Sequence, residues 1–170
     1  MSEIERNKDI ARKFFVDMSN QNIAAIIEAY DDDVKIYTMG NTLISGVVNK
    51  TQAKEFAGQV LNAFPQGIKF VIHNLTAEED RVAIEAESFA THVSGKYYNN
   101  KYHFFMRLKN GLITEFKEYM DTEMVTEVYY RSNISRKISL VSDIQHFHYP
   151  SRPENRHDFL VFTPRLVMAF

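Results

Sequence analysis

The chain has no cysteine among its 170 residues, which excludes a disulfide framework, a thiolate nucleophile and every zinc or iron-sulfur site that needs a thiolate ligand. It also lacks the run of about 18 apolar residues that a membrane-spanning helix requires. Its N-terminus, MSEIERNKDIARKFF, alternates charges where a signal peptide would be continuously apolar. An excess of one charge is equally missing. Twenty Lys and Arg against 22 Asp and Glu leave a formal charge of −2, and no basic stripe marks a nucleic-acid or anionic-membrane surface. The sequence reads as a cytoplasmic protein with neither nucleic acid nor membrane as partner. What is present, 45% apolar and 25% charged residues, is the composition of one globular domain with a substantial core.

Glycine and proline are few, 6 and 4, and they are unevenly placed. All the glycines precede residue 131, whereas three of the four prolines and three of the six histidines follow it. Residues 1–130 hold 14 basic and 19 acidic groups, and residues 131–170 hold 6 and 3. These shifts predict a domain over 1–130 and an atypical extension over 131–170. The extension is open to three readings: an arm that closes a pocket or embraces a partner subunit, a disordered appendage, or a non-homologous tail. Its apolar runs at 138–141 and 159–170 argue against complete disorder.

Within the body, Ser2 and Glu5 form a capping-box pattern, and Ala11, Phe14, Phe15 and Met18 repeat at helical spacing, predicting a helix over 3–18. Ile23, Ile26, Ile27 and Tyr30 repeat the pattern in a short second helix, which the run Asp31-Asp32-Asp33 ends as a turn. Residues 34–39 and 43–48 predict a small hairpin about Gly40-Asn41. Thr51 caps a third helix, with Ala53, Phe56, Ala57, Val60, Leu61 and Phe64 as its buried stripe and Pro65 as its stop. From Gly67 the period becomes two, and strands follow one another through turns at 78–80, 94–96 and Asn110-Gly111 to a last strand at 112–121. This order predicts an α+β fold: a cone-shaped, curved antiparallel sheet with three N-terminal helices packed on its concave face, enclosing a pocket.

Polar residues set among apolar ones on such strands are the candidate site residues. Glu87 shares a face with Ala83, Glu85 and Phe89; it belongs either to a solvated face or to a dry site where its pKa rises towards that of a useful general acid. Glu118, Tyr119 and Asp121 end the last strand. Strict alternation puts Tyr119 with Asp121 and Glu118 on the opposite face, with a sheet-edge salt bridge to Lys117 or Arg107 as the structural alternative. His73, placed with Val71 and Leu75, is either a satisfied core histidine or a base. Tyr30, Tyr37 and Tyr119 either anchor the polar edge of a ligand or bury their rings. Phe56, Val60 and Phe89 would add an apolar lining. His146, His148 and His157 lack acidic partners to orient them, and Asp31–Asp33 lacks a calcium-loop pattern, so no metal is predicted.

Three segments, Gly95-Lys96-Tyr97-Tyr98-Asn99-Asn100 with Tyr102, Asn110-Gly111-Leu112-Ile113, and Lys117-Glu118-Tyr119-Met120-Asp121-Thr122, carry a family resemblance. They resemble the SnoaL-like, ketosteroid-isomerase-like group of the nuclear-transport-factor-like superfamily. The likeness spans roughly residues 3–130. The stretch from Gly95 to Asp121, with the Phe64-Pro65 helix stop, is also similar to the phenazine-biosynthesis A/B proteins. The resemblance implies a cone-shaped fold, a homodimer through the sheet, and a small, apolar, often cyclic substrate handled without metal or organic cofactor. It implies Glu118 as an acid that protonates a bound intermediate, as in the phenazine proteins. It implies Asp121 as the acid-base residue of an aldol ring closure, as in the polyketide cyclases. Two departures are plain. Tyr37 aligns where steroid isomerases carry a proton-shuttling aspartate, and the arginine and aspartate arrangement of this fold's epoxide hydrolases is not evident. The expectation is an isomerase, cyclase or dehydratase for a small apolar cyclic or carbonyl compound. Glu118 or Asp121 would be its acid-base group, with Glu87, His73 and Tyr119 in support. The alternative is a non-catalytic domain that binds a hydrophobic ligand or dimerises.

Overall fold

The computed structural model describes residues 1–40, 45–93, 95, 97–120, 128–135, 138–147 and 159–168. The chain divides into two compact units, Met1–Asp121 and Thr122–Phe170.

The first unit opens with α1 (Glu3–Ser19), where Ser2 Oγ accepts the Glu5 backbone N–H at 3.2 Å. Only half of the expected capping box forms, because the Glu5 carboxylate takes the Lys8 ammonium at 2.9 Å instead. The predicted stripe is buried: Ala11, Phe14 and Phe15 are at most 2% exposed. α2 (Ile23–Glu28) is capped by Asn22. It ends before Tyr30, which instead begins β1 (Tyr30–Thr38), so the three aspartates lie in a strand rather than a turn. β2 (Gly46–Val48) pairs antiparallel with β1, forming the expected small hairpin. α3 (Lys50–Ala63) is capped by Asn49 and not Thr51, because Asn49 and Gln52 exchange side-chain and backbone hydrogen bonds of 3.0 Å each. Its expected stripe is only partly covered, with Phe56 51% exposed.

β3 (Ile68–Glu78), β4 (Arg81–Thr91), β5 (Tyr97–Lys109) and β6 (Leu112–Met120) form the predicted antiparallel meander. Asn110 and Gly111, with φ of 53° and 84°, make the left-handed pair that matches the twist of a two-residue hairpin. The sheet order is β2-β1-β6-β5-β4-β3. β1 lies parallel to β6, so the curved sheet is mixed and not wholly antiparallel as expected. α1 covers its inner face, where Phe14 meets Phe116 and Tyr30 at 5.5 and 5.4 Å and Phe15 meets Phe104 at 4.8 Å. Val82, Ile84, Ala86, Met106 and Ile113 complete this core. Burial of these apolar side chains is what holds the helix to the sheet.

Two register shifts decide which residues face that core. In β3 the ladder slips between Ile72 and Asn74. In β6 Arg107 pairs with Glu115 but Leu108 pairs with Ile113, leaving Thr114 as the extra residue of a bulge, its hydroxyl on the Arg107 carbonyl at 3.2 Å.

The second unit is a three-stranded antiparallel sheet in the order β7 (Val128–Ser135), β8 (Ile138–Phe147), β9 (Phe159–Met168). No helix among the described residues is long and apolar enough to cross a membrane.

Candidate functional site

Ile113 and Phe116 are both buried although three residues apart, which is possible on one strand only because the Thr114 bulge reverses the pleat between them. The reversal turns Glu118 to the inner face behind Phe116. The neighbouring strand supplies its partner: Thr38 pairs with Glu118 in the β1–β6 ladder, and its Oγ1 donates to Glu118 Oε1 at 2.8 Å. The residue as a whole keeps some solvent exposure, but its carboxyl sits among dense protein. That desolvation pushes the Glu118 pKa up, opposed in part by the Thr38 bond. The expected alternative, a salt bridge to Lys117 or Arg107, does not form: Lys117 and Arg107 both pair with Glu115, at 3.0 and 3.5 Å.

Beyond Thr38, two tyrosines feel the charge of this carboxyl. Tyr30 is 5% exposed, and burial, then the Glu118 charge, raise its pKa far above the ordinary tyrosine value. Tyr102 on β5 is raised in the same way, first by burial, with contributions from Tyr98 and Glu118. Both phenols therefore keep their protons throughout the physiological range. The Tyr98 and Tyr102 hydroxyls share a hydrogen bond of 2.7 Å, Asn100 Nδ2 donates to the Tyr98 hydroxyl at 3.3 Å, and Ser88 Oγ reaches the Tyr102 hydroxyl at 3.5 Å. Ser88 and Asn100 are buried, and Phe64 at the end of α3 packs on the Tyr98 ring at 5.2 Å. The inner face thus carries one weakened carboxylic acid amid neutral donors. Such a group can give a proton to a bound molecule or take one from it.

The other candidates lie elsewhere. Glu87 faces away from the helices. Asn99 donates to it at 2.9 Å and His73 Nε2 lies 3.1 Å from it. These partners, Asn99 foremost, lower its pKa, which fits the outer-face alternative and not the dry site that would raise it. His73 is on that outer face too and half exposed. The β3 register shift separates it from Leu75, which packs on the core, so it is not a core histidine. Phe89, opposite Lys69 and Asn99, shares the outer face. Tyr37 pairs with Lys117, whose Nζ stands 5.4 Å from its ring, so it too faces outward and Thr38 takes the inner position. Tyr119 is 43% exposed and edges an open outer depression of about 420 Å³ with His103, Phe105 and Lys117. Phe56 and the partly buried Val60 lie on α3. Asp121, His148 and His157 lie outside the described residues. Of the predicted residues, Glu118 and Tyr30 come together. Thr38, Ser88, Tyr98, Asn100 and Tyr102 join them without having been singled out as site residues.

The family model of the SnoaL-like domain matches residues 11–116. The chain belongs to the SnoaL-like domain family. Solved structures with the same fold include PrhC from Penicillium brasilianum NBRC 6234, at 18% identity over 71% of this SnoaL-like chain and 83% of that one, with a TM-score of 0.66. A protein assigned as a SnoaL-like polyketide cyclase from Jannaschia sp. CCS1 superposes at 0.62 with 19% identity, covering 74% and 92% of the two chains. An LEH-like epoxide hydrolase from M. tuberculosis gives 0.61 with 14% identity, covering 72% and 88%. At these identities the SnoaL-like chain shares their fold. No curated protein matches it at a significant level.

Proposed function

We propose that this SnoaL-like protein is an acid-base enzyme, an isomerase, cyclase or dehydratase, that moves a proton on a small apolar cyclic or carbonyl compound held against the inner face of the sheet. Glu118 is its proton-transfer group. The observation that carries the reading is a desolvated carboxyl with a raised pKa whose one hydrogen-bond partner among the described residues, Thr38, is neutral. A structural carboxylate is ordinarily exposed or paired with a cation, as Glu115 is here with Lys117 and Arg107. Tyr30 and Tyr102, held neutral, suit a substrate oxygen that gains charge as the proton moves. The chemistry proposed uses the chain's own side chains, and the polyketide cyclase fold relative supports the substrate class. The outer face of the sheet, with exposed Val71, Leu112 and Tyr119, is proposed as the surface on which two copies associate.

A thermal-shift screen against cyclic ketones, aromatic acids and polyketide-like compounds supplies the substrate. A ligand at ~100 times its dissociation constant adds ~2.7 kcal/mol. Glu118→Gln should then lower turnover of the compound found by roughly 100-fold or more. Turnover within a few-fold of wild type would show that Glu118 moves no proton.

A further inference from the structure

Thr38 and Glu118 meet through two departures from regular strand pairing. Tyr30 pairs with Ile113, yet Lys35 pairs with Glu115 and Thr38 with Glu118. Five residues of β1 therefore span what two residues of β6 span, the excess falling at 31–34. An uninterrupted ladder from the Tyr30 and Ile113 pair would set Lys35 beside Glu118 and give the carboxylate a cation. The excursion in β1 sets a threonine there, and the Thr114 bulge in β6 turns the carboxyl towards it. Bulges of this kind re-aim side chains, and here both act on the same pair.

A threonine hydroxyl has one proton to donate, and at 2.8 Å it is committed to Oε1. That bond fixes the rotation of the carboxyl and leaves Oε2 as the oxygen that carries and releases the proton. The titratable groups bearing on the carboxyl are Tyr30 from β1 and Tyr102 from β5, each coupled to its charge. Among the described residues no cation does so.

Resting on Glu118 as the proton-transfer group, we propose that Thr38 is a positioning residue: its hydroxyl pins Oε1 so that Oε2 is presented to the substrate as the proton-carrying oxygen. A valine there keeps the shape of the side chain and removes the donor. A serine keeps the donor.

The test is a direct titration of the Glu118 carboxyl by carbon-13 NMR in the full chain labelled at glutamate, with Glu118→Gln to assign the signal. It compares wild type, Thr38→Val and Thr38→Ser. Loss of a hydrogen bond to the ionised form should move the Glu118 midpoint upward by about one pH unit in Thr38→Val, while Thr38→Ser stays near wild type. With a substrate in hand, the acid-base limb of the pH-rate profile should move by the same amount and in the same direction. A merely structural threonine would lower stability without moving either curve. A Glu118 midpoint unchanged in Thr38→Val, or shifted equally in Thr38→Ser, overturns the positioning role. Should Thr38→Val not fold, Thr38→Ala against Thr38→Ser decides it in the same way. The titration reads this contact whether or not a substrate is known, so its failure is distinct from a failure of Glu118→Gln to reduce turnover.

Discussion

Glu118 is the residue at which function and stability pull apart. Its folded pKa lies above the ordinary value of 4.5 because burial penalises the charged form. Between the unfolded and folded values the native state therefore binds more protons than the unfolded state, and stability falls as pH rises through that window. Below it the carboxyl is neutral in both states and costs nothing. A glutamine keeps an oxygen for the Thr38 hydroxyl but cannot ionise. Glu118→Gln should thus melt above wild type at pH 7, with the difference shrinking towards zero near pH 4, while activity is lost. Parallel melting curves at the two pH values check this. A glutamine variant less stable than wild type at pH 7 would mean that the carboxylate is not strained by burial. Glu87 has the opposite sign: its lowered pKa, set by Asn99 and His73, marks an anion content on the outer face.

At the level of elements, the sequence located the helices and strands of the first unit, because period and turn chemistry are local, but did not place β7, β8 and β9. The α1 stripe and the Asn110-Gly111 turn are both where spacing put them. What it did not show were the pairing irregularities. Nothing about Thr114, or about residues 31–34, announces an extra residue in a ladder whose partner is far away in sequence. Yet those shifts decide that Glu118 faces in beside Thr38, and the equally silent slip between Ile72 and Asn74 decides that His73 parts from Leu75. The aspartate run reads as a turn because local propensity favours one; Asp31–Asp33 have no partner in β6 and are carried into β1 by the pairing of Tyr30 and Lys35 on either side of them. Helical stripes also overstate burial where the opposing surface is incomplete, as at α3. Phe14 and Phe56 occupy equivalent positions in two predicted stripes, but one is 2% and the other 51% exposed. Phe14→Ala should cost about 3–5 kcal/mol, as core phenylalanines do, and Phe56→Ala less than about 1 kcal/mol. Denaturant unfolding of the two variants separates them. Equal losses would mean that Phe56 is covered in solution by a surface such as a second copy of the chain.

For the whole molecule, the core, the six-stranded sheet and the Glu118 cluster all fall within Met1–Asp121, and the family match ends at residue 116. A boundary at 130 would instead cut β7, which runs Val128–Ser135 and pairs with β8 in the second unit. Composition alone could not find this, since charge and glycine content change gradually whereas strand pairing begins at a definite residue. The sheet of the first unit is paired within itself: β1, β6, β5, β4 and β3 follow one another, and β2 lines the outer side of β1. A chain of residues 1–121 should accordingly unfold in one cooperative transition and retain slow amide exchange in β4 and β5, each of which has a strand on both sides. The same exchange experiment on the full chain supplies the reference. A 1–121 fragment with collapsed protection in β4 and β5 would show that the SnoaL-like core depends on residues 122–170. That outcome would assign them a structural role which the sheet order of the first unit does not require.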